Sequence, residues 1–96
     1  MLAYAVRVEL HTPLSNSYDK LHAAMEKTGF SRDVVRNKIR YRLPHAEYII
    51  KSDLAIGAVL ESVKLIAGLV RPKFEITVCE TVDRRSYGLE PSPPKK

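Results

Sequence analysis

Glu9 and His11 stand two residues apart at the end of an alternating segment, and His22 follows near the start of the next amphipathic stretch. A carboxylate and imidazoles beside clustered cations can perform general acid–base chemistry on a ribose 2′-hydroxyl. An arginine nearby can steady the charge that develops on phosphorus. The cations are supplied by the stretch NKIRYRLP, residues 37–44, in which Lys38, Arg40 and Arg42 share one parity while Ile39, Tyr41 and Leu43 share the other. As a strand, this segment places three cations on one face and three apolar groups on the opposite face. Arg7, Arg36 and Lys51 extend the basic set, with Arg32 close by in sequence. The candidate acid–base pair is therefore Glu9 and His22. The candidate phosphate-binding residues are Arg7, Arg36, Lys38, Arg40, Arg42 and Lys51. Taken singly, each also reads as an ordinary solvated strand or helix residue, and cations on a hairpin also discourage edge-to-edge aggregation.

Other chemistries find less in the sequence. The histidines His11, His22 and His45 do not fall at a zinc-ligand spacing, and the single cysteine, Cys79, has no partner in sequence, so no metal site is predicted. No glycine-rich phosphate loop is present, and no cofactor is predicted. Cys79 reads as a small strand residue. The aromatic signature of an RNA-recognition-motif sheet is absent. Tyr41 is the strongest aromatic candidate, and its parity points it inward.

These residues must be positioned by one domain of 96 residues, long enough to bury a core without disulfides or metals. The net charge of +5 favours contact with a polyanion through long-range attraction and counterion release. One cysteine suits a reducing compartment. The N-terminal stretch lacks the pattern of a signal peptide, and the apolar run from Leu54 to Val70 is broken by Glu61, Ser62 and Lys64. The expectation is a cytoplasmic protein with no membrane partner.

Leu2, Tyr4, Val6, Val8 and Leu10 alternate with Ala3, Ala5, Arg7 and Glu9, which predicts a strand with one apolar face. Ser15, Asn16 or Ser17 can cap a helix bearing Tyr18, Leu21, Ala24 and Met25 on one stripe, with Gly29 as its left-handed stop. Val34–Leu43 is predicted as a second strand. It turns at Pro44-His45 into a third, Ala46–Lys51, making an antiparallel hairpin. A second helix follows Ser52-Asp53 and uses Leu54, Ile56, Val59, Leu60, Val63, Ile66, Ala67 and Val70 as its apolar face. Gly57 is read as a point of close helix–sheet approach. Phe74, Ile76 and Val78 then alternate with Glu75, Thr77 and Cys79 in a fourth strand. The order β-α-β-β-α-β predicts an α+β, ferredoxin-like domain over residues 1–82: a four-stranded antiparallel sheet with two helices on one face. The polar, proline-rich residues 83–96 are read as a disordered tail. Ala3, Ala5 and Ile49 on the open face also suit pairing with a second copy of the chain.

The stretches YAVRVEL, YDKLHAAMEKTGF, RYRLPHAEYIIKSDL and KFEITVCETVD together resemble the GhoS-like antitoxin endoribonucleases of type V toxin–antitoxin pairs. That family is related in fold to CRISPR-associated adaptation nucleases and VapD-type ribonucleases. The resemblance covers about Tyr4 to Asp83 and implies a ferredoxin-like fold and cleavage of a toxin mRNA. It matches Glu9 to an acidic residue at the end of the first strand, His22 to a basic position early in the first helix, and Arg40 or Arg42 to basic residues of the central hairpin. The expectation is a small RNA-binding protein, with endoribonuclease activity in an antitoxin-type regulator as its sharper form. The alternative is a non-catalytic homodimeric interaction module.

Overall fold

The computed structural model describes residues 2–83 and 85–93. Its element order is β1 (Leu2–Leu10), α1 (Ser17–Lys27), β2 (Asp33–Arg36), β3 (Ile39–Arg42), β4 (Glu47–Ser52), α2 (Ile56–Gly68) and β5 (Phe74–Thr81). The domain is α+β, with two helices and antiparallel sheets. The main sheet has three strands in the order β4-β1-β5, and β2 and β3 form a separate two-stranded sheet. The expected four-stranded sheet is thus corrected to three strands plus a ribbon. No helix among the described residues is long and apolar enough to cross a membrane.

β1 is the centre of the main sheet, and its predicted alternation is expressed from Tyr4 to Leu10, whereas Leu2 is exposed. Tyr4, Val6, Val8 and Leu10 are buried with Leu21 and Met25 of α1, Tyr48 of β4, and Val59, Val63, Ile66 and Ala67 of α2. α1 ends in a Schellman motif: Phe30 N–H donates to the Met25 carbonyl and Gly29 N–H to the Glu26 carbonyl, with Gly29 at φ 103°. Gly29 therefore stops the helix as its sequence position predicts. The N-terminus is different. Asn16 is the cap residue but makes no side-chain capping bond, and the Ser17 hydroxyl instead accepts from Leu14 N–H. α2 begins at Ile56, so Leu54 and Ile56 are exposed rather than part of the core. A side chain at Gly57 would meet open space, so no close approach depends on it.

The segment read as one strand, Val34–Leu43, is two. Arg36 pairs with Ile39 across a two-residue loop, and the loop residues Asn37 and Lys38 both have positive φ, 52° and 66°. Positive φ at both central positions is the mark of a type I′ turn, whose twist matches that of the flanking strands. Asn tolerates this conformation and makes the turn possible. The hairpin thus closes at Asn37-Lys38, and the predicted hairpin across Pro44-His45 does not form.

Why the ribbon leaves the sheet follows from hydrogen bonding. Ser31 and Ile49 exchange two backbone bonds of 2.8 Å on the outer edge of β4. The next such pair in an antiparallel ladder would join Asp33 and Glu47. Both donors are already taken: Asp33 N–H goes to the Ser31 hydroxyl at 3.1 Å, and Glu47 N–H to the Pro44 carbonyl at 3.1 Å. The ladder stops after one bridge, and β2 turns towards β3. The outer edge of β3 is covered in turn by residues read as tail. Arg42 N–H donates to the Glu90 carbonyl, Ser92 N–H donates to the Arg40 carbonyl, and Tyr41 and Pro91 form an antiparallel bridge. Residues 84 and 94–96 of that stretch lie outside the described residues.

The turn geometry makes a prediction. Lys38 holds a left-handed conformation that glycine adopts without steric cost. Lys38→Gly should stabilise the fold by roughly 0.5–1 kcal/mol, and Lys38→Val should destabilise it by a similar amount or more. Chemical denaturation of the two variants checks both signs.

Candidate nucleic-acid interface

The register sorts the predicted residues onto surfaces. In the β2–β3 ribbon, Asp33 lies opposite Arg42 and Val35 opposite Arg40, so these four share one face. Val34, Arg36, Ile39 and Tyr41 share the other. Arg40 and Arg42 keep the common parity expected of them. Lys38 does not join them, because it sits in the turn. Arg42 Nε donates to Asp33 Oδ1 at 2.8 Å, and Arg40 lies 3.8 Å from Oδ2 of the same carboxylate. The Ser92 hydroxyl donates to Asp33 Oδ1 at 2.6 Å. Burial alone would raise the Asp33 carboxyl, but the Ser92 hydroxyl and the Arg42 and Arg40 guanidinium groups outweigh it and hold its pKa below the usual value. Asp33 therefore clasps two strands and the Ser92 segment with one charge.

The open face of the main sheet carries the remaining candidates. Arg7 lies between Glu47 of β4 and Thr77 of β5, and Lys51 lies beside Ala3, with Thr81 on the far side. Arg7 and Lys51 are thus on the sheet, apart from the ribbon face that holds Arg40 and Arg42. Glu9 is also on the open face, directly across from Glu75, and Glu75 takes a 3.0 Å contact from His11 Nε2. Among the described residues, no group of three or more His, Cys, Asp or Glu side chains is arranged to hold a metal ion.

His22 is on the other side of the sheet. It is buried on α1, and its Nδ1 lies 2.6 Å from the Tyr48 hydroxyl, itself fully buried on β4. Tyr18 and His45 complete a ring cluster around it, with centroids 6.3 and 5.5 Å from His22. The Tyr48 hydroxyl has His22 Nδ1 as its partner, so the phenol donates and the imidazole accepts. The ring proton then resides on Nε2. Burial pushes the Tyr48 phenol well above its ordinary pKa, which keeps it a donor. Burial first, then the Arg32 guanidinium, His45 and Arg42, with Asp19 opposing, lower the His22 pKa to about 4.

This geometry separates the predicted acid–base pair. Glu9 projects from the open face and His22 is packed beneath the covered face, with the sheet between them. His22 is neutral at neutral pH, and its unprotonated nitrogen is committed to Tyr48. Sequence reasoning paired the two residues by nearness in the chain, whereas strand parity and helix placement decide which face each one meets. It also missed the His22–Tyr48 bond, which spans 26 residues of sequence. No family model matches the chain, and no curated protein matches it.

The His22 environment predicts a pH-dependent stability. The folded-state pKa of about 4 lies below the ordinary 6.5, so the unfolded chain binds a proton that the folded chain refuses. The contribution is intact above the ordinary value and is lost as pH falls towards the folded one. Between about pH 7.5 and about pH 4.5 the loss amounts to roughly 2–3 kcal/mol. His22→Gln, which can still accept from Tyr48 but does not titrate, should remove that share of the slope in urea melts taken across the range.

Proposed function

We propose that the chain is a single-stranded RNA-binding protein that uses the β2–β3 ribbon to grip the phosphate backbone. One observation carries this reading: charge is concentrated on the element that stands off the sheet. From Asp33 to Arg42 the ribbon holds four cations (Arg36, Lys38, Arg40 and Arg42) against the single carboxylate of Asp33, a net +3 of the chain's +5. A projecting basic ribbon can follow a nucleic-acid backbone, and a field of one sign speeds encounter with it. The main sheet has three strands, and among the described residues only the Ser31–Ile49 bridge extends it; the role proposed for the chain rests instead on the sequence resemblance to GhoS-like antitoxins. An antitoxin-type regulator that acts on mRNA is the role this reading favours. Binding is preferred over cleavage because Glu9 and His22 are not assembled into one site.

The test is a titration of end-labelled single-stranded RNA at several salt concentrations, with the same tubes run on native and denaturing gels. Lys38→Gln with Arg40→Gln should lower the salt slope by about 0.7 per lost contact, at an unchanged melting temperature. An unchanged slope would remove the ribbon from the interface. Fragments on the denaturing gel that disappear in Glu9→Gln would restore the nuclease reading.

A second reading, a homodimer through the open sheet face, is favoured by the pattern across that face. A middle row of Ile49, Ala5 and Cys79 separates a row containing Glu47 from a row containing Lys51. A two-fold axis through the middle row, perpendicular to the strands, sets Glu47 of one copy over Lys51 of the other and brings the two Cys79 residues together. Cys79 is exposed and free. A short bismaleimide should join two chains through it, and Ile49→Glu should abolish the product. A monomer by light scattering with no cross-linked product would reject the dimer.

A further inference from the structure

The chain has five tyrosines, and the structure divides them in two. The hydroxyls of Tyr4, Tyr18 and Tyr48 are hydrogen-bonded, to the Leu54 carbonyl, Leu10 N–H and His22 respectively. Tyr41 and Tyr87 have no hydroxyl partner and no ring contact among the described residues. Both line the same cleft, of about 360 Å³, together with Arg36, Ser86, Gly88 and Leu89. Tyr41 is half-buried on the ribbon, and Tyr87 is fully exposed.

The cleft has a structural cause. The bonds of Glu90 and Ser92 to β3 return the chain to the ribbon, and the preceding loop Ser86–Leu89 lines a cleft with Tyr41 and Arg36. Gly88, at φ 78°, permits the bend. Two tyrosines, an arginine, Ser86, Gly88 and Leu89 line one volume. Its size is near the lower end of the range of about 300–1,000 Å³ typical of small-molecule sites.

We infer that this cleft is a base-stacking subsite for single-stranded RNA, an inference that rests on the RNA-binding reading and adds to it the recognition of an unpaired base. The chemistry required is a flat π-surface for the base and a cation for the adjoining phosphate. Tyr41 and Tyr87 supply the first, and Arg36 at the rim supplies the second. An unpaired base is favoured over an uncharged apolar ligand because the cleft opens on the ribbon with its net +3. Stacking accepts any base, so the subsite discriminates paired from unpaired strands more than it discriminates sequence. A duplex keeps its bases stacked on one another and cannot deliver one to the cleft.

The experiment compares oligoadenylate with an abasic strand of the same length and charge, titrated into the full chain, Tyr87→Ala, Tyr87→Phe, Tyr41→Leu and the Lys38→Gln, Arg40→Gln variant. Circular dichroism melts confirm that each variant is folded. Tyr87→Ala and Tyr41→Leu should each weaken oligoadenylate binding about 5- to 100-fold, leave the salt slope unchanged and leave abasic-strand binding unchanged. Tyr87→Phe, which keeps the ring, should bind as the unaltered chain does. Equal affinity for oligoadenylate in the two ring-deleting variants would overturn the subsite. The RNA reading would survive that result if the Lys38→Gln, Arg40→Gln variant still binds more weakly. Failure of the unaltered chain to bind either strand at low salt would overturn both.

Discussion

A strand paired on both edges and covered on one face has little freedom, and β1 is such a strand. Its two neighbours fix its register, so every second side chain must satisfy the core. Tyr4, Val6, Val8 and Leu10 do so. Through that register β1 assigns a face to its neighbours: Tyr48 lies opposite Val6 and therefore points inward, while Ile49 lies opposite Ala5 and points outward. The inward set then decides what the helices meet. Tyr48 brings its hydroxyl to His22, and Tyr4 reaches the Leu54 carbonyl at 2.7 Å just before α2 begins. A one-residue slip in β1 would invert all of this, exposing the core and burying Arg7 and Glu9.

The second constraint is where the main sheet stops. The Ser31 hydroxyl and the Pro44 carbonyl take the two donors that would continue pairing along β4. Released from the sheet, β2 and β3 become a ribbon whose charges need their own support. Arg40 and Arg42 are on the same face, two positions apart, and would repel if left alone. Asp33 lies between them in charge and opposite Arg42 in register. A partly buried carboxylate with several donors is worth more than an exposed surface pair, because water screens it less.

The parts of this arrangement visible in the sequence are those written in local pattern. Alternation in β1 and β5 gives their faces, and Gly29 gives the end of α1. The ribbon was hidden by its own regularity. The parity of Lys38, Arg40 and Arg42 suggests one continuous strand, and only the tolerance of Asn37 for positive φ argues otherwise. Pairing of Glu90–Ser92 with β3 leaves no composition signal, because edge addition uses backbone groups that every residue but proline possesses in full. The cluster of Tyr18, His22, His45 and Tyr48 joins three separate segments, so nothing in the spacing of its members announces it. Glu9 and His22 illustrate the converse: nearness along the chain can be undone by a sheet that sends two residues to opposite faces.

The two histidine environments explain how the fold separates structural work from surface chemistry. His22, held neutral under the sheet, cannot serve a phosphate on the far side, and its bond to Tyr48 fixes α1 against β4. His11, exposed beside Glu75, remains at the solvent boundary. Arg36, Lys38 and Arg40 carry their charge exposed on the ribbon, where it need not be desolvated to fold, whereas Arg32 and Arg42 come near enough to His22 to help hold it neutral. Asp33 weakens that field, since each carboxylate among the arginines competes with an incoming phosphate. On the proposed RNA-binding reading its presence would nevertheless favour binding, because arginines already held in place lose less side-chain entropy when a strand arrives. A ribbon of unclasped cations would attract RNA from the same distance but hold it in no defined geometry. On that reading the clasp would trade part of the electrostatic attraction for a shaped surface, and the cleft beside Tyr41 is the feature of that surface which charge alone could not create.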